Sequence, residues 1–206
     1  MSVFALPATR LRLPPHVRRP APDRGQSLVE FALILPLFVT MMLAVVEFAF
    51  VFNAVLGVNY ASRNAALLAA EGGNELHSDC VILRSVERDL QGPTDPARVL
   101  RVEIYRADES GAVIGSPTIY LRGAAITTCS YADGTVIEVP YGRSSNGYPE
   151  ASRCNWLAGC GPGSSGPDLV GVRVAYHHTW VTPLRSFVGG NPGGLSFDRS
   201  NVMRME

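Results

Sequence analysis

The sequence predicts an α+β protein in which a long N-terminal transmembrane helix continues into a small exported domain with a three- to four-stranded antiparallel sheet. Three observations support this class. Residues 31–46 carry no charged side chain, and the apolar stretch around them exceeds the roughly 20 residues that cross a bilayer as a helix. Strand-like alternation of apolar and polar residues begins only after this stretch. All four cysteines also follow it, as expected of an exported domain.

The charges around the apolar stretch predict its direction in the membrane. Five arginines precede it, whereas the first basic residue after it is Arg63. Basic residues stay on the cytoplasmic side, so the N-terminus is expected in the cytoplasm and the C-terminal part outside. We therefore divide the chain into a basic leader at 1–25, a transmembrane and extended helix at 26–71, and an extracytoplasmic α+β domain at 72–206. The arginines are Arg10, Arg12, Arg18, Arg19 and Arg24.

Two acids interrupt the apolar stretch, and we interpret them differently. Glu30 lies just inside the stretch, where an ionised group marks a partner or a function. Glu47 follows 17 residues later, a rise of about 26 Å. If Glu30 is near the inner surface, Glu47 is near the outer one. We therefore interpret Glu47 as an interfacial carboxylate that reaches water.

The long helix is expected to continue beyond the membrane and to end at Glu71-Gly72-Gly73, where glycine supplies a left-handed cap. Small residues recur at three- and four-residue steps along it and form one ridge. This ridge allows close approach to helices of other subunits, or it packs as one face within the same chain. The ridge comprises Ala54, Gly57, Ala61, Ala65 and Ala69.

The remaining chain predicts one short helix and a sheet packed against the upper half of the long helix. Apolar residues at helical spacing predict the helix at 79–91. In the first strand, Leu100, Val102 and Ile104 are expected on one buried face. In the last, alternate residues from Val170 to Trp180 share one side. The predicted strands are 99–106, 118–122, 135–139, ending at Pro140, and 169–182, with a Gly/Ser/Pro-rich loop at 141–168.

The four cysteines favour disulfides, with three possible connectivities. One possibility joins Cys154 to Cys160 in a short loop and leaves Cys80 for Cys129. A zinc site is the alternative, but zinc-type Cys or His spacing is absent from the sequence, so we predict no metal site. His177 and His178 are adjacent in a predicted strand and face opposite ways. We interpret His178 as a core or rim residue and His177 as a solvated one.

The residues from Arg24 to Phe31, RGQSLVEF, resemble the processing site of type IV prepilins. That resemblance implies cleavage by a prepilin peptidase between Gly25 and Gln26, and a subunit-registration role for Glu30. The longer stretches RGQSLVEFALILPLF, EFAFVFN and YASRNAALLAAEGG resemble the TadE-like pilus-assembly family.

The residues of this motif suit cleavage and charge pairing by their own chemistry. Gly25 has no side chain, so a peptidase can approach the scissile carbonyl closely. Cleavage there creates an ammonium at Gln26, about 6 Å along the helix from Glu30. The ammonium and the Glu30 carboxylate, of the same or a neighbouring subunit, can then neutralise each other. The alternative is that this spacing arose by chance before an ordinary signal anchor.

The resemblance implies a minor pilin or pseudopilin of a tight-adherence pilus machine. It implies a single-pass protein of the bacterial inner membrane that can enter a pilus. The expected partners are the prepilin peptidase, other pilins, membrane components of the machine and the lipid bilayer. Nucleic acid is not expected, because the net charge is zero. The sequence shows no catalytic constellation, so we expect neither an enzyme nor a cofactor.

Two alternatives remain beside this function. One is a signal-anchored envelope protein whose exported domain is an enzyme or a binding module. The other is an uncleaved membrane scaffold that recruits secretion components through its transmembrane helix. Both predict that the leader stays attached, whereas the pilin function predicts cleavage after Gly25.

Overall fold

A computed structural model describes residues 25–92, 94–155, 160, 166–183 and 193–205 of the chain. The predicted leader therefore lies almost entirely outside the described residues. The α+β class is confirmed, although the sheet has five strands where three or four were predicted. The elements are α1 (Gln26–Gly72), α2 (Ser78–Asp89), β1 (Val99–Ala107), β2 (Val113–Ser130), β3 (Val136–Asn146), β4 (Leu169–His178) and β5 (Leu195–Arg204).

The chain forms two compact units, Met1–Thr40 and Met41–Glu206. In the first unit, every described side chain from residue 25 to residue 39 is exposed. The second unit contains the rest of α1, together with α2 and the sheet. The C-terminal part of α1 is thus a structural component of the domain.

The ridge of small residues on α1 packs into the core of the second unit. Ala61, Ala65 and Ala69 are fully buried beside apolar residues of α2 and the sheet. A methyl group added to Gly57 would meet the side chain of Thr94 at 3.1 Å, so this glycine also permits close packing. Of the two uses predicted for the ridge, the structure contains packing within the chain. The predicted helix end is confirmed, since Gly73 adopts a φ of 51°.

The sheet is antiparallel throughout, in the order β3-β2-β1-β4-β5. The predicted loop at 141–168 is partly wrong, because β3 continues through Pro140 to Asn146. Proline is tolerated there since β3 is an edge strand, and one side of its backbone needs no partner. β2 is also longer than predicted, with an irregular register against β3 between Arg122 and Thr127.

The predicted faces of β1 and β4 hold with two exceptions, Leu100 on β1 and Trp180 after β4. Val102 and Ile104 are buried, but Leu100 is 46% exposed. The register of β1 against β4 shifts between Val99 and Arg101, and the resulting bulge turns Leu100 away from the core. On β4, the alternate residues from Val170 to His178 are buried as predicted. Trp180 lies beyond the end of the strand.

Strand β5 was not predicted from the sequence. Its residues, LSFDRSNVMR, include both charges and polar side chains and lack a regular alternation. The strand is an edge strand that pairs only with β4, and most of its residues remain partly exposed. An edge strand needs little apolar patterning, which explains why periodicity did not reveal it.

Candidate functional site

The predicted processing motif lies at the start of α1. The helix begins at Gln26, directly after Gly25, and the carbonyl of Gly25 accepts a hydrogen bond from the N–H of Val29 at 3.2 Å. A methyl group added to Gly25 would have no neighbour within 4 Å. The Gln26 side-chain amide donates to Glu30 Oε1 at 3.1 Å. Gln26 and Glu30 therefore share one face of the first helical turn.

An exposed apolar surface follows this motif. Leu33 and Leu37 are 75% and 73% exposed. Glu30 is the single charged residue between positions 26 and 46. By length and composition, α1 is able to cross a membrane.

Glu47 lies in a different environment from the one predicted. Its side chain is not in water: the residue is 2% exposed. One carboxylate oxygen accepts the N–H of Thr182 at 2.7 Å, and both accept from the N–H of Val181 at 3.1 and 3.2 Å. The Nε2 atom of His178 lies 3.3 Å from the same carboxylate. Glu47 thus binds the segment after β4 to the helix.

These contacts could not be found from local patterns, because the partners lie more than 130 residues away in the sequence. The position of His178 at 3% exposure confirms the interpretation of this histidine as a core or rim residue. His177 is partly exposed and contacts Ser196 Oγ at 2.9 Å and the carbonyl of Gly193 at 2.6 Å. The two rings therefore point to different surroundings.

Comparison with known proteins bears on this part of the chain. Residues 25–67 match the family model described as TadE-like protein. This segment is TadE-like. The resemblance predicted from the sequence is confirmed over the matched residues, which include Gly25, Glu30 and Glu47. No curated protein and no solved structure matches the chain.

The TadE-like segment associates the chain with the tight-adherence pilus system, and the long apolar helix indicates a single-pass membrane protein. The segment supplies the exposed apolar helix and most of the ridge of small residues. The sheet and α2 lie outside the match.

Two disulfides stabilise the region outside the TadE-like segment. Cys80 of α2 is bonded to Cys129 of β2, and Cys154 is bonded to Cys160. Among the three connectivities left open by the sequence, the structure contains this one. Among the described residues, no group of three or more His, Cys, Asp or Glu side chains is arranged to hold a metal.

A buried ion pair joins α2 to the chain after β3. Arg153 and Asp79 are 2% and 4% exposed, and the Arg153 Nη2 atom lies 2.5 Å from Asp79 Oδ1. Arg153 also donates to Ser78 Oγ at 3.1 Å. The backbone N–H of Asp79 donates to Glu150 Oε1 at 2.8 Å. The pair therefore fixes the start of α2, and no local pattern in the sequence identifies either residue as part of an ion pair.

Three buried phenols each donate a hydrogen bond to a carboxylate, and we call them the tyrosine–carboxylate pairs. Burial raises the pKa of each phenol, and the neighbouring negative charge raises the pKa further. The sequence contains no spacing rule that would identify such pairs. The pairs are Tyr120 with Asp79 at 2.7 Å, Tyr141 with Glu87 at 2.7 Å, and Tyr148 with Asp168 at 2.8 Å.

A cavity of about 430 Å³ lies beside the end of β1, the start of β4 and the end of β5. Its walls carry both signs of charge, including Arg106, Arg204 and Asp168. The Arg106 Nε atom lies 2.8 Å from Asp168 Oδ1, so these two charges neutralise each other. The charges in this cavity have a structural role. Asp168 pairs with Arg106 and also accepts a hydrogen bond from the N–H of Cys154 at 3.1 Å, so it links β1 to the chain around Cys154.

Proposed function

We propose that the chain is a minor pilin or pseudopilin of a tight-adherence pilus machine. In this proposal it is inserted in the bacterial inner membrane with its N-terminus in the cytoplasm, and a prepilin peptidase cleaves it between Gly25 and Gln26. The observation that carries the proposal is the start of α1: the helix begins at the residue that cleavage would make N-terminal. The TadE-like match over residues 25–67 supports the same function.

The geometry of the first turn explains how cleavage would prepare the subunit for assembly. Cleavage removes all five leader arginines and leaves an ammonium at Gln26. The Gln26 side chain already contacts Glu30, so the new ammonium forms within one turn of that carboxylate. In apolar surroundings an unpaired charge is costly, and the two opposite charges reduce that cost when they pair. An incoming subunit can thus be registered by its neighbour's carboxylate.

We propose that the exported domain acts by contact with other pilus components and not by catalysis. The buried charges at Asp79, Asp168 and Glu47 are each engaged in holding one part of the domain to another. The proposed partners are the prepilin peptidase, other pilins, membrane components of the machine and lipid.

The intact mass of the full chain, isolated from membranes with and without the prepilin peptidase, tests this proposal. We expect a peptidase-dependent species that begins at Gln26, after allowance for N-terminal methylation or cyclisation. Gly25→Leu should retain the leader, because the added side chain blocks the peptidase while the chain itself has space for it. Ser27→Leu is the matched control, since it adds similar bulk two residues later and keeps the glycine.

A chain that keeps Arg24-Gly25 whether or not the peptidase is present would contradict the proposal. The chain would then be a signal-anchored protein. Equal cleavage of the Gly25→Leu chain and the wild-type chain would count against Gly25 as the recognised residue.

A further inference from the structure

We propose that the segment after β4, residues 178–183, is a second membrane-contacting element that lies in the outer lipid–water interface beside α1. Together with neighbouring side chains it forms an apolar collar, which consists of Phe48, Trp180, Val181 and Leu195. This inference rests on the membrane insertion of α1 in the proposed function. It assigns a role to residues outside the TadE-like segment.

The Glu47 carboxylate fixes this segment to one level of the helix. The flanking residues Val46 and Phe48 are 42% and 70% exposed, whereas Glu47 is almost fully covered. The 178–182 segment contributes to this cover, because it donates the backbone N–H groups of Val181 and Thr182 to the carboxylate. Loss of these bonds would leave buried polar groups unsatisfied. The segment is therefore held at the height of residue 47.

The length of the helix places that height at a membrane surface. Glu47 follows Leu28 by nineteen residues, which corresponds to about 28 Å of helix. The hydrocarbon layer of a bilayer is about 30 Å thick. When Leu28 lies at the inner boundary of this layer, Glu47 and the segment bound to it lie at the outer boundary.

The chemistry of the collar fits the lipid–water interface. Residues 179–183 carry no charge, and their tryptophan has an amphipathic ring of the kind that is enriched at membrane surfaces. Val181 is 55% exposed and Leu195 is 42% exposed. Leu195 pairs with His178, so it lies at the same end of the sheet.

The collar also includes one ring of an exposed aromatic pair on the part of α1 that lies in the second unit. Phe48 and Phe52 stack with ring centroids 6.3 Å apart, and both are more than half exposed. Exposed aromatic rings at this level of the helix suit contact with the surface of a bilayer. We therefore assign the lipid bilayer as the occupant of this surface.

Tryptophan fluorescence of the full chain in phospholipid vesicles tests the inference. Trp156→Phe leaves Trp180 as the reporter, and Trp156 lies outside the described residues. A lipid spin-labelled at the headgroup should quench Trp180 roughly twofold more than a lipid labelled near the end of its acyl chain, as expected of an interfacial ring. Glu47→Ala should reduce this quenching because the segment is released. If that variant fails to fold, Val181→Asp, at an exposed position, should weaken the contact instead.

Two reporters serve as controls in a chain without native tryptophan. Phe38→Trp reports on the membrane-spanning helix, and Val136→Trp reports on the hairpin at the opposite end of the domain. Quenching of Phe38→Trp but not of Trp180 would overturn the inference and leave the proposed function intact. Absence of quenching at both sites would overturn both. Equal quenching of Val136→Trp and Trp180 would show a non-specific contact and would also overturn the inference.

Discussion

At the scale of single residues, the two acids in the apolar stretch of α1, Glu30 and Glu47, have opposite environments although they lie in similar sequence contexts. Glu30 is exposed and accepts a hydrogen bond from the Gln26 side chain, four residues earlier in the same helix. Glu47 is buried and accepts hydrogen bonds from residues far away in the sequence. An exposed carboxylate in an apolar helix is available to another subunit, whereas a buried and bonded one is committed to its own domain. The two residues should therefore differ in their effects on assembly.

We expect Glu30→Ala to abolish fibre assembly while membrane insertion remains. The ammonium created at Gln26 would lose its partner, and an unpaired charge is costly in the apolar surroundings of an assembled fibre. Surface fibres should decrease by about tenfold or more, as measured by quantitative electron microscopy of cells. Glu71→Ala is the matched control, because it removes an exposed carboxylate from the same helix. Normal fibres with Glu30→Ala would argue strongly against subunit registration by this residue.

At the scale of elements, α1 serves two purposes along its length. Its first part presents a continuous exposed apolar surface, and its last part buries small residues against the domain. Small side chains allow the helix backbone to approach α2 and the sheet closely. The same ridge would also suit contact between subunits, so composition alone did not decide between the two uses. Packing inside the second unit is the use that the structure contains.

Ala65→Leu should destabilise the domain by about 1–3 kcal/mol, because three more carbon atoms cannot fit at a fully buried position. Thermal unfolding of the full chain in detergent, followed by circular dichroism, measures this effect. Tyr60→Leu places the same side chain on the same helix at a position that is 64% exposed. It should have little effect. Unchanged stability of Ala65→Leu together with lost assembly would instead assign the ridge to contacts between subunits.

At the scale of the whole domain, buried polar groups connect the elements as much as the apolar core does. The tyrosine–carboxylate pairs join α2 to β2 and β3, and join the end of β3 to the start of β4. The disulfide between Cys80 and Cys129 connects α2 to β2 as well. One of the tyrosine–carboxylate pairs attaches the segment 141–168, which is rich in glycine, serine and proline, to α2, and another joins two points within this segment. The stability of the domain should therefore depend on the protonation of its buried phenols.

Alkaline pH should unfold the domain. In the unfolded chain a phenol ionises near pH 10, whereas burial raises the pKa of Tyr120, Tyr141 and Tyr148 in the folded domain. As the pH rises, the unfolded state therefore releases these protons at a lower pH than the folded state does. The phenols contribute their full stabilisation below about pH 10, and this stabilisation declines as the pH rises toward their pKa values in the folded domain.

Ultraviolet absorbance of phenolate during a pH titration measures this behaviour. Of the seven tyrosines, these three should ionise only as circular dichroism shows unfolding. In concentrated urea all seven should titrate near pH 10. Tyr148→Phe should reduce by one the number of phenols that ionise only when the domain unfolds. Ionisation of all seven phenols in a domain that stays folded would contradict the prediction.

The sequence by itself determined the features that depend on local pattern. The uncharged run after Glu30 predicts the membrane helix, Gly72-Gly73 predicts its end, and alternation predicts the buried faces of β1 and β4. The TadE-like segment could likewise be recognised, because it is a continuous run of residues. Periodicity and spacing express interactions within a few residues, and these survive without knowledge of the fold.

Tertiary structure alone decided the features that depend on distant partners. The burial of Glu47 under Val181 and Thr182, the pairing of Asp79 with Arg153, and the addition of the irregular strand β5 each require chain segments to meet across many residues. Leu100 was placed wrongly for the same reason, because the bulge that exposes it belongs to the pairing of two strands. Whether a carboxylate is solvated or buried is a property of what the fold places beside it, and no pattern within its own helix carries that information.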